Sequence, residues 1–258
     1  MSQKTNVSAK NKAQKKRVDL LLVERGLAET RQRAQALILA GQVVVNGQMA
    51  AKAGSLVSAD SPIEVLGESQ PYASRAGAKL EGALKDFDID PTGKVCLDIG
   101  ASTGGFTDCL LRHGAERVYA VDVNVSQLAW KLRQDARVVK VEKNARYMKF
   151  DDLGELVELT TIDVSFISVS KILPAVCPLL KPKGDLLILV KPQFELERTD
   201  VRRGGVVVDP VLHERAIARV RAAVEAAKHA EVQVCASRLP GAEGNQEFFL
   251  HARPAPLE

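Results

Sequence analysis

No part of this 258-residue chain is apolar for long; the longest unbroken runs reach five residues, as in Leu186–Val190. A membrane-spanning helix needs ~20 such residues, and no apolar segment follows the first lysines. Neither a membrane-spanning nor an exported protein is expected. Cysteine is sparse and scattered: Cys96, Cys109, Cys177 and Cys235 show no CxxC or Cys/His ligand spacing. This argues against a disulfide framework and for small buried thiols in a reducing compartment, the cytoplasm. The histidines, His113, His213, His229 and His251, are equally dispersed, so no metal is expected, and no internal repeat is visible. What remains is an ordinary globular composition, 26% charged and 46% apolar. The length suits one large domain or two smaller ones.

Charge is present but uneven. Residues 1–66 carry ten Lys/Arg against five Asp/Glu, a net of +5, whereas residues 67–258 sum to −1. A basic front end on a neutral body points to an anionic partner, nucleic acid first among them, although a basic tail can also serve solubility alone. Residues 1–16 hold Lys4, Lys10, Lys12, Lys15 and Lys16 with almost nothing to bury, and are expected to be disordered. From Arg17 a short helix runs towards Gly26, and a second follows Thr30 as N-cap, with Ala34, Leu37 and Ile38 on one face and Gly41 at its end. Val43–Val45 reads as a strand, Asn46-Gly47 as a tight turn and 63–66 as a later strand. These make a small α+β module over 17–66. Residues 67–73 have linker chemistry, with Pro71 barring a continuous helix.

Beyond the linker, over 74–258, the pattern changes. A helix near 75–85 leads into strands near 94–99, 117–121, 137–141, 159–163 and 185–190. Helices are expected near 105–113, 126–133, 169–180 and 210–228. That alternation argues for a mostly parallel sheet in an α/β domain. The last apolar runs, 231–236 and 246–251, are joined by residues 240–245, too few for a helix, and are expected to form an antiparallel hairpin at a sheet edge. Seven strands result.

The strongest chemical signal is Val95-Cys96-Leu97-Asp98-Ile99-Gly100-Ala101-Ser102-Thr103-Gly104-Gly105-Phe106. A buried strand ends in Asp-x-Gly, and a loop of small residues opens the next helix, where backbone can approach a ligand closely. The spacing is wrong for a dinucleotide G-x-G-x-x-G. Asp98 would repel phosphate but suits a cationic ligand such as S-adenosylmethionine, and Asp122, ending the next strand, can accept both hydrogens of a ribose diol. Asp98, Gly100, Ala101, Ser102, Gly104, Gly105, Phe106 and Asp122 are therefore the candidate cofactor residues; a tight βα turn with no ligand is the alternative.

These residues, with the strand order and the terminal hairpin, resemble class I S-adenosylmethionine-dependent methyltransferases. Ser74–Leu80 (SRAGAKL), Ile162–Ser168 (IDVSFIS), Val190–Glu195 (VKPQFE) and Gly244–Phe248 (GNQEF) resemble the TlyA family more narrowly. That family is labelled haemolysin and known as ribosomal RNA 2′-O-methyltransferases, and 17–66 resembles the S4 RNA-binding domain at its N-terminus. The resemblance implies a Rossmann-like fold and a Lys-Asp-Lys-Glu tetrad shared with FtsJ-type enzymes, falling on Lys79, Asp163, Lys191 and Glu247. It further implies cytidine as the modified nucleoside. Independently of it, Asp163 and Lys191 end two expected strands on the edge where open α/β sheets bind ligands. A ribose hydroxyl is a poor nucleophile, and a lysine whose charge is disfavoured by burial and nearby cations can remove its proton. Lys191 is assigned that role, with Lys79 as the second cation and Asp163 and Glu247 fixing geometry and charge.

Phe166 could stack on a flipped base or pack in the core. Arg202 and Arg203 could grip phosphate or sit at a solvated loop tip. Arg17, Arg25, Arg31, Arg33 and Lys52 offer the cations that an RNA backbone needs. The partner expected is ribosomal RNA or ribosomal subunits, with no membrane and no obligate protein partner. Two competing readings are a non-catalytic RNA-binding or ribosome-assembly factor, which the complete tetrad disfavours, and a membrane-active haemolysin, which lacks a suitable apolar segment.

Overall fold

Residues 15–25, 27–28, 30–50, 52–66, 72–201, 204–241 and 244–255 are described by a computed structural model, and the chain divides into two units, Met1–Ser69 and Gln70–Glu258. In the first, the apolar run after Arg17 forms α1 (Val18–Glu24), and the i, i+3, i+4 spacing of Ala34, Leu37 and Ile38 turns α2 (Arg31–Leu39) towards it. The Thr30 hydroxyl accepts from the Arg33 amide at 3.1 Å and starts α2. The strands are β1 (Lys15–Arg17), β2 (Val43–Val45), β3 (Gln48–Met49), β4 (Leu56–Ser58) and β5 (Ile63–Val65). They form a sheet ordered β3-β2-β5 and a separate β1-β4 pair. Asn46 and Gly47, at φ 53° and 76°, make the turn between β2 and β3. Strand β1 starts at Lys15, inside the segment expected to be disordered, because Lys15–Arg17 pair with Leu56–Ser58. The rest of that expected tail, 1–14, and most of the linker lie outside the described residues. Tyr72, expected in the linker, is buried in the second unit, and the Ala73 amide donates to Asp108 at 2.8 Å.

The second unit contains α3 (Arg75–Asp86), β6 (Val95–Ile99), α4 (Gly105–Arg112), β7 (Arg117–Asp122), α5 (Trp130–Gln134), β8 (Val138–Glu142) and β9 (Val157–Ile162). It continues with α6 (Leu173–Val176), β10 (Leu180–Val190), α7 (Pro192–Glu195), α8 (Pro210–Ala226), β11 (His229–Ala236) and β12 (Phe248–Pro254). Its seven-stranded sheet has the order β11-β12-β10-β9-β6-β7-β8. Strands β6 to β10 pair in parallel, and β12 runs antiparallel to β10 and β11. Alternation along β10 divides its apolar run between two cores. Leu187 and Leu189 pack with α3 and α4 residues such as Leu80 and Leu110, while Leu186, Ile188 and Val190 face Leu173, Val176 and Val220.

Two expected helices are broken. Pro174 and Pro178 cut 169–180 into two 3₁₀ turns around the four-residue α6. In 126–133, Leu128 and Ala129 are extended because the Ala129 amide donates to the Thr103 carbonyl at 3.1 Å; a tertiary contact with the glycine loop overrides the local pattern. The parallel registers bring the carboxyl ends of β6, β7, β9 and β10 to one edge, with Ile99 beside Val121 and Ile162, and Ile162 beside Ile188. The start of β12 meets the same edge through Phe248 opposite Val190.

Candidate active site

The chain leaves β6 through Gly100, whose φ of +85° and close neighbour both require glycine: a Cβ there would stand 2.3 Å from the Asp163 carbonyl. The Gly100 and Ala101 amides donate to the Val121 carbonyl at 2.9 and 3.0 Å. The Ser102 amide donates to Asp122 Oδ2 at 3.0 Å, and that of Asn124 to Oδ1 at 3.0 Å. Asp122 is half-buried, and each of its oxygens keeps acceptor capacity for one hydroxyl of a ribose diol. Beside it Val123 is 67% exposed, an apolar surface next to the place a nucleoside would occupy. Helix α4 then begins at Gly105, its first-turn amides opening from this loop.

Two of the expected cofactor residues take a different part. Asp98 is fully enclosed, its carboxyl accepting from Thr107 Oγ1 at 2.6 Å and Thr161 Oγ1 at 3.1 Å. It supports the loop from beneath instead of meeting a ligand with its side chain. Burial pushes this carboxyl up to about 7; the Thr107 hydrogen bond works against that and the nearby Asp163 adds to it. Phe106 is likewise in the core, stacked on Phe249, so only its backbone faces the loop.

Helix α3 docks on the start of α4 where Gly77 meets Gly105; a Cβ on Gly77 would lie 2.7 Å from the Gly105 carbonyl. That close approach carries Lys79 to the sheet edge, where its Nζ lies 2.6 Å from Glu247 Oε2, both side chains being buried. Asp163 follows β9 and Lys191 follows β10; Lys191 Nζ stands 2.6 Å from Asp163 Oδ1 and donates to Ser165 Oγ at 3.0 Å. The four residues of the expected tetrad thus form two lysine–carboxylate pairs on one edge. Phe166 does not pack in the core: it is 92% exposed at φ +66°, with the Phe194 ring beside it at 5.1 Å.

Three participants escaped the sequence. Ser165 meets Lys191. Glu195, buried, accepts from Ser168 Oγ at 2.5 Å and the Val169 amide at 2.8 Å, and burial holds its carboxyl above the usual range against the Ser168 hydrogen bond. Asn245, also buried, bonds the Val207 amide and the Gly205 carbonyl, fastening the base of the 204–207 loop two residues from Glu247. The motifs SFIS, KPQFE and GNQEF contain all three, which was the available signal. Arg202 and Arg203 lie outside the described residues.

In the first unit the expected cations divide into two groups. Arg25, itself exposed, also braces the fold, donating to the Ser61 and Ala59 carbonyls at 2.8 and 2.5 Å. Arg17 and Arg31 flank the fully buried Asp19 at 2.8 and 3.1 Å, and Gln35 adds a third donor. The Arg17 hydrogen bonds hold the Asp19 carboxyl well below the usual range, against the effect of burial. Both arginines remain solvent-accessible, so they are held in place by Asp19 and still available. Arg33 and Lys52 are exposed.

Comparison with known proteins agrees with both units. The S4 domain family matches residues 16–63, and the FtsJ-like methyltransferase family matches residues 72–254. The chain is 47% identical over 244 residues to the 16S/23S rRNA (cytidine-2′-O)-methyltransferase TlyA of Mycobacterium tuberculosis, covering 93% of this chain and 91% of that one. It is 44% identical to Hemolysin A of Brachyspira hyodysenteriae, over 91% and 98% of the two chains. A solved structure of a hemolysin-named protein from Streptococcus thermophilus superposes with a TM-score of 0.73 at 40% identity, covering 94% of this chain and 90% of that one. With a seven-stranded methyltransferase sheet, an S4 module before it and these relatives across nearly its whole length, the chain belongs to the FtsJ-like methyltransferase family and, within it, to the TlyA-type proteins.

Proposed function

We propose that this protein transfers a methyl group from S-adenosylmethionine to a ribose 2′-hydroxyl of ribosomal RNA, a cytidine as in the M. tuberculosis relative, with the S4 module holding the RNA. The observation that carries this reading is the placement of two lysine–carboxylate pairs on the sheet edge that also bears the Gly100 loop and Asp122. Asp122 accepts from the ribose hydroxyls, the small residues of the loop let the nucleoside come close, and Val123 covers its apolar face. S-adenosylmethionine supplies a methyl group on a sulfonium sulfur, which keeps the bonding electrons and departs as a neutral thioether. Lys191 Nζ takes the hydroxyl proton as the oxygen–methyl bond forms. Asp163 and Ser165 aim that nitrogen, and Lys79 stands on the same edge as a second cation. Glu247 keeps Lys79 in place. Phe166, exposed beside Asp163 and backed by Phe194, offers its face to the base of a nucleotide turned out of its stack.

The test is to map ribosomal RNA 2′-O-methyl groups with and without the protein, on bare RNA and on assembled subunits. A new 2′-O-methylcytidine that needs S-adenosylmethionine is expected. Binding of RNA with no methyl transfer on any of these substrates would favour the assembly-factor reading. Lysis of red cells by the purified protein, with no methyl transfer to ribosomal RNA, would favour the haemolysin reading.

A further inference from the structure

The segment between β9 and the 3₁₀ turn at Val169 carries Asp163, Ser165 and Phe166, yet it has no regular backbone of its own. Phe166 makes the difficulty sharper. Its φ of +66° is unfavourable for a bulky residue, and at 92% exposure its ring gains little by burial. Something outside the segment must hold this conformation. The facing stretch 191–196, which leaves β10, meets it through three of its residues. Lys191 reaches Asp163 and Ser165, the Phe194 ring lies against Phe166, and the Glu195 carboxyl takes the Ser168 hydroxyl and the Val169 amide.

The third contact is the anchored one. Glu195 is 2% exposed, whereas Lys191 and Phe194 are more accessible. Its own backbone is fixed from α8, where Arg219 Nη1 donates to the Glu195 carbonyl at 2.7 Å. An apolar side chain would fill this space but would leave the Val169 amide unpaired.

From this we infer that Glu195 is a positioning residue for methyl transfer: it latches the 163–169 segment to 191–196 and so sets where Lys191, Ser165 and Phe166 stand relative to one another. The role rests on the methyl-transfer reading above, because it acts through Lys191. Glu195 itself touches none of the reacting atoms. A glutamine can replace it, since its amide oxygen can accept from Val169 and its NH₂ can donate to Ser168 Oγ, whose hydroxyl then turns to Ser170 Oγ 2.8 Å away.

The test compares the full-length wild type with Glu195→Ala and Glu195→Gln by single-turnover methyl transfer, S-adenosylmethionine affinity and amide hydrogen exchange. The alanine variant is expected to lose about a hundredfold in rate, the scale of a misplacement near 1 Å, with cofactor affinity within about twofold. Exchange should rise at the Val169 amide and stay unchanged in β6 and β7, and the glutamine variant should recover most of both. If alanine proves too unstable to purify, Ser168→Ala removes one of the two donors and should show the same split in smaller measure. The inference is overturned if the alanine variant keeps a rate within threefold of wild type, if glutamine is as impaired as alanine, or if the Val169 amide stays protected. A wild-type protein that methylates no ribosomal RNA would defeat the functional reading instead, and the exchange data would still decide whether the latch exists.

Discussion

Lys79 and Glu247 are separated by 168 positions in the chain, yet Nζ and Oε2 lie 2.6 Å apart and both side chains are buried. Docking of α3 on α4 brings the lysine, and the antiparallel return of β12 beside β10 brings the carboxylate. Removing one member leaves the other charged without a partner. Glu247→Ala is therefore expected to destabilise the protein by about 3–5 kcal/mol, read by urea unfolding, and to stop methyl transfer. The double variant Lys79→Met with Glu247→Leu should regain most of the stability and none of the activity, which separates the two contributions.

Lys191→Ala should abolish turnover while S-adenosylmethionine and RNA affinities stay within a few-fold, because the amine acts in the transition state. A variant within about tenfold of the wild-type rate would remove Lys191 from the general-base role.

Asp98 gives the stability a pH dependence of definite sign. Its carboxyl is raised to about 7 in the fold, so the native state binds more protons than the unfolded chain between roughly pH 4 and 7. The stabilisation is complete below the unfolded value and is lost as pH rises through 7. Between pH 5 and 8 this group should cost about 2–3 kcal/mol, and Asp98→Asn should remove that share of the slope. Parallel urea curves at the two pH values, for both proteins, decide it.

Gly100→Ala places a methyl group against the Asp163 carbonyl at a positive φ. Strain of about 1–3 kcal/mol is expected, together with a displaced Asp163. Melting temperature and activity should therefore fall together, and a fully active Gly100→Ala protein would show that the loop tolerates a wider turn.

In the first unit, Arg33→Ala and Lys52→Ala should weaken RNA binding and lower the slope of log affinity against log salt by about 0.7–0.9 per lost phosphate contact, with little change in stability. Arg25→Ala should in addition lower stability, since its guanidinium caps the Ala59 and Ser61 carbonyls. Equal effects of the three on stability would contradict the division.

Several layers of this protein were fixed by local rules. The strand through Leu186–Val190, the Thr30 cap and the Asn46-Gly47 turn each depend on neighbours within a few residues, and each is found where the residues alone place it. Charge asymmetry and the ordered motifs pointed to the two units and to the tetrad. Tertiary structure decided the rest, because it depends on which groups meet across the chain. Asp98 sits beneath the loop because both faces of β6 are covered, Arg25 bonds to carbonyls more than thirty positions away, and the 126–133 helix breaks where Ala129 reaches Thr103. Glu195 reads in sequence as one more acidic residue after a strand. Only packing against Ser168 and Val169, with α8 behind it, makes it a buried anchor, since desolvation and hydrogen-bond partners are properties of the assembled fold.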